Sequence, residues 1–187
     1  MNRFPCYVAL SALLLAGCSA AAAQTPTPGA RQTGLTLTAP AFSQGAPIPK
    51  KYSCQGEDTS PALDWSGAPQ GTKTFALILD DPDAPSGTFV HWVIYNLPAS
   101  LSGLPEGAST AKVPAANLPQ GAAQGKSGFG RAGYGGPCPP SGTHRYFFHL
   151  YALDTTLTGT GMDKSALLKA MTGHILAQTE LMGTYKK

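Results

Sequence analysis

The sequence predicts a single, mostly antiparallel β domain with a small helical element near its C-terminal end. Three observations carry that expectation. Apolar runs at residues 74–79 (TFALIL), 89–95 (FVHWVIY) and 145–153 (RYFFHLYAL) have strand length and are apolar on both faces, as central strands of a covered sheet are. The 22 glycines and 17 prolines among 187 residues favour short strands joined by turns over a helical bundle. With 42% hydrophobic and 12% charged residues the chain can build a core, and its length suits one domain better than two. The formal charge of +3 comes from scattered basic residues, without the basic stripe that nucleic-acid binding requires.

Residues 1–18 read as an export signal. Arg3 supplies a weak positive start, and an apolar run from Tyr7 to Ala16, too short to span a bilayer, follows it. The run ends in Leu15-Ala16-Gly17-Cys18, which resembles the bacterial lipobox, so Cys18 is the expected lipidation site and the protein an expected cell-envelope lipoprotein. Cleavage further on, near Ala23, would instead give a soluble periplasmic or secreted form. Residues 19–34, rich in Ala, Gln, Thr, Pro and Gly, cannot bury a core and read as a tether, leaving 35–187 as the folded domain. Cys54 and Cys138 then remain as an even pair in an oxidising compartment, and the sequence leaves open whether they bond or stay as thiols.

Within the domain, Leu35-Thr36-Leu37-Thr38 alternates as a first strand. The weakly apolar stretch 100–129 reads as a long surface excursion with at most a short strand or turn. Residues 163–171 combine an acidic start with apolar residues at helical spacing, and 174–181 read as a second short helix after Thr172-Gly173. Trp65 and Trp92 are expected core aromatics, while His149 and His174 are expected to be structural.

Chemistry concentrates at strand ends. Counting by two puts His91, Val93 and Tyr95 on one face, and His144, Tyr146 and Phe148 on another. Asp81 and Asp83 lie just past the 74–79 run, and the glycine- and proline-rich loop 133–142 runs directly into His144. If these ends converge, they form a pocket of two carboxylates, two imidazoles, a phenol and a stiff loop able to approach a ligand closely. Such a set suits a small anion or a zwitterion, held by histidines and loop N–H groups. Zinc is conceivable in ligand type, yet no His-x-x-x-His or Cys-x-x-Cys spacing is present, so neither metal nor cofactor is expected.

Several ordered motifs point to one family. Asp80-Asp81-Pro82-Asp83-Ala84-Pro85, His91, Gly136-Pro137-Cys138-Pro139-Pro140 and His144-Arg145-Tyr146 together resemble the phosphatidylethanolamine-binding proteins, especially their bacterial Raf-kinase-inhibitor-like branch. The segments 47–54 (PIPKKYSC), 60–66 (SPALDWS) and 173–177 (GHILA) fit the same pattern, extending the resemblance from about residue 35 to 185. It implies a β-sandwich-like domain with peripheral helices and a ligand pocket built from Asp81, Asp83, His91, Gly136, Pro139, Pro140, His144 and Tyr146. One departure is Ser127-Gly128-Phe129-Gly130, where the family pattern has Asn-Asp-Phe-Gly, so that segment is left out of the expected site.

The sequence therefore favours a non-enzymatic, membrane-tethered binding protein for a phosphate-type or phospho-headgroup ligand. Two alternatives compete with it. One is an interaction protein that inhibits a kinase or protease, with no partner named by the sequence. The other is a hydrolase with a histidine base, for which Cys138 is the one nucleophile near the pocket, since no Gly-x-Ser-x-Gly occurs.

Overall fold

The structure is a computed structural model that describes residues 34–110 and 117–187, together with Met1 and Lys112. The expected signal, the lipidation site at Cys18 and nearly all of the tether lie outside the described residues.

Eight strands, one α-helix and a single 3-10 turn (Lys50–Tyr52) are present among the described residues: β1 (Thr36–Thr38), β2 (Leu63–Ser66), β3 (Thr74–Asp81), β4 (Phe89–Pro98), β5 (Gly103–Leu104), β6 (Ala123–Gln124), β7 (Thr143–Leu153), α1 (Lys164–Met171) and β8 (Ile175–Lys186). They form a small sheet in the order β1-β2-β5 and a larger antiparallel sheet in the order β6-β4-β3-β7-β8. The excursion at 100–129 contributes only the two-residue strands β5 and β6.

The two sheets pack face to face. Leu37, Leu63, Trp65 and Leu104 of the small sheet share a core with Phe75, Leu77, Leu79, Trp92, Ile94, Tyr146, Phe148 and Leu150 of the large one. The opposite face of the large sheet, with Ala76, Ile78, Val93 and Tyr95, is covered by Leu167 and Met171 of α1 and by Leu157. Central β3 is thus buried along all eight residues, which is why its sequence is continuously apolar rather than alternating. Helix α1 begins as its acidic start predicts, with Asp163 Oδ1 accepting from the Ala166 amide at 2.9 Å.

The structure corrects the sequence reading in two places. Residues 175–186 form a strand, not a second helix, and pair along the whole length of β7 from Thr143↔Lys186 to Leu153↔Ile175. Ala177, Leu181, Gly183 and Tyr185 are the buried positions, all odd-numbered, so the period of two prevails over the helix-forming Leu, Ala, Gln and Glu in the stretch. A central-sheet edge needing a hydrogen-bonded neighbour outweighs local helix preference, which is a weak term.

The second correction concerns His91. The β3–β4 register runs Leu79↔Trp92 and then Asp80↔Val90, so His91 is the extra residue of a β-bulge. The bulge breaks the period of two. His91 stacks edge-on against Tyr146, on the inter-sheet side, while Val93 and Tyr95 face helix α1.

Candidate functional site

Asp80 and Asp81 close β3 and, as consecutive strand residues, serve opposite faces. Asp80 belongs to the helix side, where Lys164 Nζ and His149 Nε2 contact its two oxygens. Burial alone would raise the Asp80 pKa, but these two partners hold it below its ordinary value. Asp81 belongs to the inter-sheet side, where its Oδ2 lies 2.7 Å from His144 Nδ1. Its Oδ1 accepts the Asp83 amide at 2.9 Å, closing the turn around Pro82.

Asp83 is clamped by Arg145. Its Oδ2 accepts from the Arg145 amide and from Nε, both at 2.9 Å, and its Oδ1 accepts from Nη2 at 2.7 Å. This fork-shaped bonding to the guanidinium holds the Asp83 carboxyl down at about 2. The turn after β3 is thereby fixed to the start of β7, which carries His144 and Tyr146.

His91 reaches the same place from β4. Its Nδ1 sits 2.8 Å from the Gly135 carbonyl oxygen, and its ring meets Tyr146, Phe89 and Phe129 edge-on at 5.2, 5.1 and 5.5 Å. Burial pushes the imidazole below its ordinary pKa, against weaker opposing pulls from the Gly135 and Gly136 backbone, Asp81 and Asp58.

The loop from Gly133 to Gly142 forms the wall that its composition suggested, held from behind. Cys138 is bonded to Cys54, the Cys54 amide donates to Pro137 O at 3.1 Å, and the Tyr134 hydroxyl donates to Tyr52 O at 2.8 Å. The Gly136 amide donates to Asp58 Oδ1 at 2.6 Å. A side chain at Gly136 has no room, since a Cβ there would lie 2.1 Å from Tyr52 O. The amides of Gly135 and Gly136 are therefore occupied within the protein, by His91 O and Asp58, and proline supplies none at 137, 139 or 140. Pro139 is buried in the wall and Pro140 is exposed beside it.

One atom here stands apart. Tyr146 is fully buried, and its Oη is, among the described residues, the sealed side-chain polar atom without a hydrogen-bond partner. The phenol pKa lies far above its ordinary value, first through burial and then through the nearby Asp81 carboxylate, with the Cys138 backbone acting weakly the other way. Asp81 and Cys138 are thus close to Oη without completing a bond to it.

The structure brings Asp81, His91, His144, Tyr146 and the 136–140 wall together, with Asp83 bracing the set through Arg145. Exposures of 3% for Asp81, 3% for His91, 7% for His144 and 0% for Tyr146 mean that only a group of a few atoms fits among them. Sequence reasoning missed Asp58, whose role depends on a contact between residues 78 positions apart. It also set aside Phe129, which at 42% exposed lies against His91 and Phe89. A lone bulky residue in a glycine-rich stretch was the available signal. A wider cleft of about 510 Å³, between Val90, Lys126, Gly128 and the start of α1, lies beside this cluster and contains none of it.

Residues 38–186 match the model of the family described as phosphatidylethanolamine-binding protein. The chain belongs to that family. It is similar to a UPF0098 protein of Methanothermobacter thermautotrophicus, 49% identical over 155 residues that cover 82% of this chain and 99% of the relative. Among solved structures it is similar to a phosphatidylethanolamine-binding protein homolog from Chlamydia trachomatis (46% identity, TM-score 0.74, covering 83% of this chain and 99% of the other). It is also similar to YbcL of E. coli, described as a new member of the mammalian family, at 33% identity and TM-score 0.76 over the same shares. The antiparallel sandwich with a single described α-helix is the family fold.

Proposed function

We propose that this family member is an exported, lipid-anchored binding protein whose pocket holds a small oxyanion or phospho-headgroup. The carrying observation is Tyr146 Oη, a sealed hydroxyl without a partner among the described residues, beside the Asp81–His144 pair and His91. A buried polar atom left unpaired costs free energy, so its persistence here argues for a ligand that completes it. The ligand is small because the surrounding side chains leave little opening.

Export is supported by the order of charge, apolar run and cysteine at residues 3–18, and by the Cys54–Cys138 bond, which suits an oxidising compartment. The same bond removes the thiol that a hydrolase reading needs from Cys138, so the site is read as binding rather than catalytic.

Following the imidazole signals of His91 and His144 by NMR during titration with phosphate, acetate and phosphoethanolamine tests the pocket. Both rings shift at saturation if it binds; unmoved signals refute it. Membrane fractionation tests the anchor: the wild-type chain sediments with membranes and Cys18→Ser is released, whereas identical partition of both refutes lipidation at Cys18.

A further inference from the structure

The large sheet guards its two edges unequally. At one edge stands β6, only two residues long, which offers little backbone to pair with. At the other stands β8, twelve residues long. The chain itself covers the C-terminal half of that edge. Met182 O accepts from the Gly45 amide and the Met182 amide donates to Gln44 Oε1, both at 2.8 Å. Thr184 exchanges bonds with Ala46 O and the Ile48 amide at 3.0 and 2.7 Å. Residues 182 and 184 therefore turn both backbone groups away from β7. The pairing of β8 with β7 is regular from 178 to 184, so alternation puts the amides and carbonyls of Gln178 and Glu180 on that same outer side. These groups have no partner among the described residues. Side chains do not shield them either. From Ile175 to Leu181 there is no proline or lysine and one charge, Glu180, and Ile175 is 40% exposed.

Unpaired strand groups are complementary to another strand, and here they are complementary to themselves. Two copies of β8 related by a two-fold axis at Thr179 bring Gln178 opposite Glu180 of the other copy, and Glu180 opposite its Gln178. All the open amides and carbonyls then find partners. Each Glu180 carboxylate faces an amide side chain instead of a second carboxylate, and the two Thr179 residues face each other, a favourable cross-strand pair. Moving the axis to Glu180 would set the two carboxylates directly opposite and press residue 178 against Met182, whose edge is already taken by Gln44 and Gly45. Moving it to Gln178 would run the pairing into the irregularity at Leu176, between the Ala177 and Ile175 pairs. One register remains. On the helix side of the edge a hollow of about 210 Å³ between His149, Tyr151, Gln178 and Glu180 leaves room for the incoming side chains.

We infer that the protein self-associates through the exposed part of β8, joining two five-stranded sheets into one of ten strands. The candidate ligand site lies at the far end of the strand, where Tyr185 opposes His144. That is roughly 20 Å from the axis at the rise of an extended strand, so both sites stay open in the pair.

Cysteine scanning of the full chain in isolated membranes tests the register. Across the axis, two residues at 179 form a non-hydrogen-bonded pair about 4.5 Å apart at Cα, within disulfide reach, whereas two residues at 178 are roughly 8 Å apart and beyond it. Mild oxidation should therefore give at least tenfold more covalent dimer from Thr179→Cys than from Gln178→Cys. Adding Glu180→Pro to Thr179→Cys should abolish it, because that proline removes an outward amide and none bonded to β7. No dimer from Thr179→Cys, or equal dimer from both positions, overturns the inference. A Thr179→Cys adduct of any mass other than twice the chain also overturns it, by showing a different strand on this edge. Sedimentation equilibrium of the unmodified full chain in density-matched detergent needs no variant to fold. The mass of two chains is expected at ~100 μM, where even a small interface associates, and a monomer there overturns the inference.

Discussion

Replacing Tyr146 with phenylalanine separates what its ring does from what its hydroxyl does. The ring fills the core and meets His91 edge-on at 5.2 Å, and both survive the change. The hydroxyl is sealed and bonds to nothing among the described residues. Leaving such a group unsatisfied costs about 1–3 kcal/mol, so its removal stabilises the ligand-free domain by roughly 1 kcal/mol. For a domain of this size that is a rise of about 2–4 °C in Tm. Binding moves in the opposite direction. A hydrogen bond to a charged partner contributes about 1.5–3 kcal/mol, so affinity for phosphate falls roughly 10- to 100-fold. Thermal melts of Tyr146→Phe without ligand, paired with phosphate titrations, read both effects. A variant that melts several degrees lower and binds phosphate as well as wild type would refute the reasoning, because the hydroxyl would then be structural.

Three further outcomes follow from the same geometry. Cys54 and Cys138 are 84 residues apart, so the chain-entropy model gives a loss of about 4–5 kcal/mol for the double change to serine, measured by urea unfolding with and without reductant. Asp83 has a folded pKa of about 2 through Arg145, below the ~3.9 of an unfolded chain. Its stabilisation is thus complete above the unfolded value and lost as pH falls toward 2, and Asp83→Asn should flatten the acid limb of a Tm-against-pH curve over that window. Gly136→Ala forces a methyl against Tyr52 O at 2.1 Å, so it should destabilise the wall and weaken phosphate binding together, whereas an unchanged melt would show that the loop can yield.

The parts of the fold that were legible in the sequence are those whose burial is set by the element itself. β3, covered on both faces, announces itself as a continuous apolar run, as do β4 and β7. β8 was hidden because its residues are individually good helix formers and its strand state comes from pairing with β7. The site was legible to the extent that motifs mark it: Asp81, His144 and Tyr146 converge as counting suggested. His91 arrives there by a different route, a bulge that no periodicity in the sequence encodes. Asp58 was out of reach, and whether the candidate pair Cys54 and Cys138 is bonded was left open, for a related reason. Each is decided by two loops meeting in space, and local composition carries no record of that meeting.

The central claim is that a phosphoryl group is held between β4 and β7, and a crystal structure of the chain grown with phosphoethanolamine tests it most directly. The account predicts the phosphate within hydrogen-bond distance of both Tyr146 Oη and His91 Nε2, with the Cys138 loop unmoved. An empty cluster, or the ligand bound elsewhere at full occupancy, would contradict it.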